Sequence, residues 1–370
     1  MKKALLTVAA ALLLISLLSV SARAAEIDGE AWYGGLWESV DADTKELLEQ
    51  VGMDGVSPEG FLSLSPFRVF SLIGKIAAGE AVSPLRYGAG AVLAAVLTAL
   101  AGSLLPPGGA MRDRCETLGR LCVMFVLLSG TGQALRECMP AVTATKDFML
   151  ALVPVFTGVM GFAGNPALAL SWGGAVLGFS ETVGVFFAKY VPSAASLGTA
   201  AVAAANLNEE TDFSAAAKTA CKAVTVAMGL AAGLFSAVLS VRDVIAAASD
   251  TVSMKGAKLV VGQGVPIVGG AVSEVLNTVA AGLGLIRDTV GMFAVLALFL
   301  LVLVPLVRLL LWKGVFRFFS ACASLLGQGR VASLTDGLNS LLSVILAVIC
   351  FNSAVFIIAV ALVTRLAGGG

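Results

Sequence analysis

The sequence predicts an all-α, polytopic integral membrane protein: a helical bundle of about eight spans plus one broken or re-entrant amphipathic helix. Three observations predict it. Of 370 residues, 58% are hydrophobic and only 13% are charged, where a soluble domain carries roughly 25% charged residues. The mean hydropathy is +0.95. The apolar residues are gathered into runs close to the ~20 residues that cross a bilayer as a helix.

The same composition excludes several functions. The net charge is zero, so no field attracts nucleic acid. Histidine is absent, which removes the commonest general base and metal ligand. The six cysteines, Cys115, Cys122, Cys138, Cys221, Cys322 and Cys350, form no C-x-x-C pair and read as small helix-packing residues. No G-x-x-x-x-G-K-[ST], H-E-x-x-H or G-x-S-x-G occurs. The chain is therefore expected to be no enzyme, with no catalytic residue, cofactor or metal, and to hydrolyse no nucleotide itself.

The elements follow in order. Residues 1–24 read as a signal peptide: Lys2 and Lys3 precede an apolar run, and Ala22, Arg23 and Ala24 form an A-x-A site. Residues 25–84 are acidic and expected outside the cytoplasm. Within them "DADTKELLEQVG" reads as a helix capped by Asp43, with Glu46 completing a capping box and Gly52 closing it. "SPFRVFSLIGKIAAGE" starts a second helix, with Ser65 as cap and Pro66 in the first turn. Val69, Leu72, Ile73 and Ile76 make its apolar face, either packed on the membrane domain or lying at the interface.

Residues 85–370 form the membrane domain. Its expected spans are Tyr87–Leu105, Leu118–Leu135, a short Phe148–Phe162, Ala167–Ala188, a short Val191–Leu207, Ala223–Val241, Met292–Leu311 and Leu338–Val363, the two short ones being either spans or half-helices. Arg112, Arg114, Lys313, Arg317 and Arg330 favour an outside N-terminus, with Arg242, Lys255, Lys258 and Arg287 against it. Arg136 and Glu137 stand near a segment end, where snorkelling is cheap. Glu181 stands inside a span, so it either lines a water path or pairs with a neighbouring helix.

The region 250–291 is the least regular. "GQGVPIVGG" carries Gly262, Gly264, Pro266, Gly269 and Gly270, and Pro and Gly both weaken a helix. After it, Glu274, Asn277, Thr278 and Asp288 fall on one helical stripe. Irregular backbone at membrane depth survives only against protein or water. The stretch is thus a broken or re-entrant helix lining a path, or an amphipathic helix packed outside the membrane on the bundle.

"DTVSMKGAKLVVGQGVPIVGGAVSEVLNTVAAGLGLIRDTVG", Asp250 to Gly291, resembles the signature region of the stage III sporulation protein AE family. The resemblance lies in S-x-K-x-A-K, a V-P-I-V-G-G core, and S-E leading into an amphipathic helix. The signal peptide, the acidic segment with "SPFRVFSLI" and the overall length agree with it. The resemblance implies a multi-pass protein of the mother-cell membrane surrounding the forespore, one product of an eight-protein stage III A operon. It implies partners: the other stage III A proteins, among them a separate ATPase, and a stage II Q-type forespore protein. Together these form a channel likened to a secretion system, needed for late forespore gene expression. A free-standing secondary transporter or a non-conducting scaffold are the rival readings.

Overall fold

In a computed structural model, residues 36–56, 66–106, 109–162, 165–207 and 269–366 are described, with shorter pieces between 226 and 252. The signal peptide, the Ala223–Val241 span in most of its length and the Gly/Pro core before Gly269 lie outside the described residues. All regular elements among the described residues are α-helices: α1 Ala42–Val51, α2 Pro66–Glu80, α3 Val82–Ser103, α4 Ala110–Cys138, α5 Pro140–Phe162, α6 Pro166–Leu207, α7 Gly269–Leu325 and α8 Gly329–Leu366.

α1 starts two residues earlier than its sequence suggests. Asp41, not Asp43, is the cap, and its carboxylate accepts from Thr44 N at 3.2 Å. Asp43 falls inside the first turn, where its charge still suits the helix dipole. Glu46 is then too far along to close a capping box and accepts from Gln50 instead. Gly52 ends the helix at φ 101°, with Met53 N bonded back to Leu48 O. The acidic segment also carries an apolar face, Leu36, Leu47, Leu48 and Val51, all buried. It packs onto α7, where Trp37 meets Phe293 at 6.0 Å.

α2 packs as its pattern requires. Leu72 is buried, Val69, Ile73 and Ile76 sit against the core, and Arg68, Ser71 and Lys75 are exposed. Between α2 and α3, Ala81 keeps right-handed helical angles, and hydrogen bonds run through it from Ala81 N to Ala77 O and from Leu85 N to Ala81 O. α4 and α5 meet in the same way at Met139. Pro140, which has no N–H to give, explains that joint.

α7 is the axis of the bundle. Its segment from Val290 to Leu303 is buried on nearly every side, as expected of a helix that is apolar all round. α8 returns antiparallel along it after Gly327, whose φ of 74° permits the reversal. The pairing register is marked by Ser320 Oγ donating to Asp336 at 2.9 Å and by the Lys313–Ser343 bond. α3 and α4 lie against the later half of α7. A Cβ on Gly130 would sit 2.9 Å from the Trp312 ring, so only glycine permits that approach. α6 crosses α8, with Trp172 Nε1 donating to Ala359 O at 2.9 Å.

Three expectations change. Ala167–Ala188 and Val191–Leu207 are not separate spans but one helix, α6, of 42 residues. A local dip in hydropathy around Lys189 and one proline, Pro192, do not reverse a chain. The amphipathic stretch is not separated from the next span either, because α7 runs unbroken from Gly269 to Leu325 over 57 residues. Any break in 250–291 precedes Gly269. Among the described residues four helical stretches are long and apolar enough to cross a membrane: Val82–Ser103, Ala110–Gly161, Gly284–Leu325 and Gly329–Arg365. Eight spans are not seen, because the count rested on segments that fuse or lie outside those residues.

Candidate functional site: an ionic cluster inside the bundle

Of the residues that the sequence singles out, Gly264 and Pro266 lie outside the described residues. Gly269 and Gly270 open α7 in helical conformation, so neither uses the left-handed region open to glycine. Glu274, Asn277 and Thr278 follow on the backbone of α7, with side chains outside the described set. Asp288 is exposed and accepts from Arg287 Nε and Nη2 at 2.9 and 2.7 Å, while Arg287 itself is buried. Glu181 is exposed on α6, 3.9 Å from Lys146 on α5. The structure shows no contact between Glu181 and the described part of that stripe.

What the structure does bring together is a cluster around Arg308, a residue that the sequence left unmarked. Arg308 sits within the most apolar segment, on α7. It donates from Nε to Glu80 Oε2 at 2.5 Å and from Nη2 to Glu80 Oε1 at 2.6 Å. Its Nη1 donates to the carbonyl of Glu137 at 3.1 Å. The fork thus grips a carboxylate at the end of α2 and a backbone oxygen at the end of α4. The Glu137 carboxylate stands behind, with Oε2 3.7 Å from Arg308 Nε. Glu137 Oε1 accepts from Gln133 at 2.6 Å, and Gln133 Oε1 accepts from Arg136 at 2.9 Å. Glu137 is therefore not a snorkelling terminal charge. Its Oε2 is buried with no hydrogen-bond partner.

The local chain explains the placing. Glu80 is the last residue of α2, and Glu137 lies one residue before the end of α4. Both interruptions, at Ala81 and Met139, fall at the level of Arg308. Pro305 stands one turn before Arg308, and its carbonyl accepts weakly from Cys138 Sγ at 3.8 Å. One turn after Arg308, Trp312 is fully buried between Tyr87 and Phe316 at 5.4 and 5.7 Å. A cavity of about 610 Å³ opens beside the cluster, walled by Glu80, Ser83, Arg86, Tyr87 and Gln133. A planar fork on a carboxylate is strong and directional. Such a charge inside an apolar bundle is costly unless paired, and pairing here needs three helices at once.

A second polar feature joins the start of α6 to the helical residues 239–246 and 248–250. Asp250 accepts from Ala167 N at 3.0 Å and Leu168 N at 2.8 Å, capping α6 from a distant part of the chain. Two turns earlier, Asp243 accepts from Ser171 Oγ at 3.2 Å and is fully buried, with Oδ2 unpartnered. Burial pushes its carboxyl up to about 6, against the opposing pull of the Ser171 hydrogen bond and of Arg242. Asn352, on α8, is also buried with both amide atoms unpartnered. Among the described residues no group of three or more Cys, Asp or Glu is placed to hold a metal.

A family model described as stage III sporulation protein AE matches residues 89–367. The chain belongs to the stage III sporulation protein AE family. The match takes in α4 to α8 whole and about the last two thirds of α3, so in this family member Arg308 and Glu137 lie within the matched region and Glu80 lies before it. The stage III sporulation protein AE of Bacillus subtilis (strain 168) is 21% identical over 243 residues. That alignment spans 66% of this chain and 61% of the relative's length. No solved structure matches the chain.

Proposed function

We propose that this family member is a multi-pass subunit of the mother-cell membrane around the forespore, acting as the permease-like part of an export channel between the two cells. It works without catalysis of its own. A separate ATPase among the other stage III A proteins supplies energy, and a stage II Q-type forespore protein meets the complex from the far side. The observation that supports this reading most is the Glu80–Arg308–Glu137 cluster, held where two helix joints meet the central helix and opening onto a cavity. A cluster of charges buried within an apolar bundle and beside a cavity is a functional candidate.

In this reading Arg308 holds α2, α4 and α7 in one relative setting and keeps the cavity wall charged. Arg308→Gln removes the fork and leaves two carboxylates facing each other, a loss of about 3 kcal/mol for a paired charge away from water. The expected outcome is arrest of sporulation after engulfment and loss of late forespore reporter activity, with the protein still inserted and at normal level. The double exchange Glu80→Arg with Arg308→Glu restores part of the spore yield. Wild-type yield from Arg308→Gln would overturn the proposal. The unpartnered Asn352 favours one rival, a free-standing solute transporter. Solute uptake by vesicles containing this chain alone is the observation that would establish it.

A further inference from the structure

A second cavity lies at the other end of α3, away from Arg308. It measures about 540 Å³ and is walled by the end of α3, the first turns of α4 and the turn between α7 and α8. Three guanidinium groups line it, Arg112, Arg120 and Arg330, against one carboxylate, Glu116. Glu116 is shared by two of them, with Arg112 Nε at 3.0 Å and Arg120 Nη2 at 3.9 Å. One carboxylate between Arg112 and Arg120 balances only one of the two, so that wall keeps a net positive charge.

The backbone adds to that charge. Gly329, Arg330 and Val331, the first turn of α8, form part of the wall. The N–H groups of a first turn lack intrahelical acceptors and carry the positive end of the helix dipole. The wall is also braced: Gln328 Nε2 donates to Ala95 O on α3 at 2.9 Å, which ties the α7–α8 turn to the neighbouring helix. Exposed apolar side chains stand within two residues of the lining ones in the chain. Leu104 is 85% exposed, Leu325 is 88% exposed, and Met111 is exposed beside them. A basic hollow with exposed apolar side chains next to its lining residues in the chain, at the end of a helix long enough to span, suits a molecule with an anionic head and a hydrocarbon body.

We propose that this cavity is a binding site for an anionic phospholipid, with its phosphate between Arg112, Arg120 and the start of α8 and its acyl chains along Leu104, Met111 and Leu325. Arginine forks match phosphate oxygens two at a time. Basic pockets between helices on the cytoplasmic side of a membrane are where acidic head groups are held.

The test uses the full chain purified in neutral detergent, with binding followed by native mass spectrometry and by thermal unfolding. The probes are phosphatidylglycerol, cardiolipin, phosphatidylcholine and inorganic phosphate. The two anionic lipids are expected to bind and raise the unfolding temperature, and phosphatidylcholine is not. Arg120→Gln with Arg330→Gln weakens anionic lipid binding by about fivefold per arginine removed, the scale of basic residues at an acidic membrane surface. Glu116→Gln strengthens it, a gain that a misfolded variant cannot produce. Arg317→Gln, an exposed arginine outside the cavity wall, leaves it unchanged. Equal binding of phosphatidylcholine, full binding by the double variant, or stabilisation by inorganic phosphate equal to that by lipid would each overturn the site.

Discussion

Asp243 shows how a single buried carboxyl acts on the whole. Its folded value of about 6 lies above the ordinary 3.8 because burial disfavours the charged form. A carboxyl raised on folding binds its proton more tightly in the native state. Stability from this group is therefore fully present below the unfolded value and lost as pH rises through the folded one, between about pH 4 and pH 6. The shift corresponds to a loss on the order of 2 to 3 kcal/mol at neutral pH. Asp243→Asn should remove it: thermal unfolding at pH 7.5 should occur at a higher temperature than in the parent, with the two indistinguishable at pH 3.5. A variant less stable at pH 7.5 would mean that the ionised carboxylate is the favoured form. At this scale the sequence was partly legible. Pro66, Gly52 and the α2 face could be read from local pattern. Arg308 could not be paired from pattern, because its partner Glu80 is 228 residues away and hydropathy averages a lone arginine into its apolar surroundings. A charge alone in the most apolar run is the signal that could have marked it.

At the scale of the element, the chain prefers long rods to many short spans. Glycine- and proline-rich punctuation suggested breaks, yet α6 and α7 pass through positions where segments had been divided. Tertiary packing decides this, since a helix surrounded by other helices tolerates residues that would end an isolated one. The continuity of α7 makes a sharp expectation. Gly270 lies in the first turn, where proline costs no intrahelical bond, whereas Ala281 lies in the interior. Ala281→Pro should cost about 3 kcal/mol and uncouple the amphipathic turns from the later part of the helix. Gly270→Pro should be tolerated. Spore yield, with immunoblots for protein level, compares the two. Equal phenotypes would show that continuity through Ala281 is not required.

At the scale of the molecule, the helices outgrow the membrane. The 57 residues of α7 extend about 85 Å and the 42 of α6 about 63 Å, against a hydrocarbon thickness of about 30 Å. α3, with 22 residues and about 33 Å, matches it, as does α5 with 23 residues and about 35 Å. α3 has the Arg308 cluster at one end and the arginine cavity at the other, while α7, at about 85 Å, is too long to lie within the hydrocarbon layer at any ordinary tilt. With the cavity on the cytoplasmic side, α1 stands outside. Ser39→Cys, expressed in sporulating cells, should react with a membrane-impermeant maleimide once the outer layers are opened, while Ser324→Cys near the α7–α8 turn should react only after the mother-cell membrane is permeabilised. The reverse pattern would invert the topology. Composition made the membrane class and the all-helical architecture legible. It could not reveal the height of the bundle, because apolar residues that pack against protein and those that face lipid look alike in one dimension.

An unbroken α7 also has a mechanical meaning. A rod has few internal degrees of freedom, so a force applied near Gly269 reaches Leu325 as tilt or as rotation about the long axis. Successive residues are set about 100° apart around that axis, and a turn of that size would carry the guanidinium of Arg308 away from Glu80. The two anchoring glutamates therefore act on the central helix as a key acts on a shaft: they fix its angle, and any torque that turns it must first pull the key.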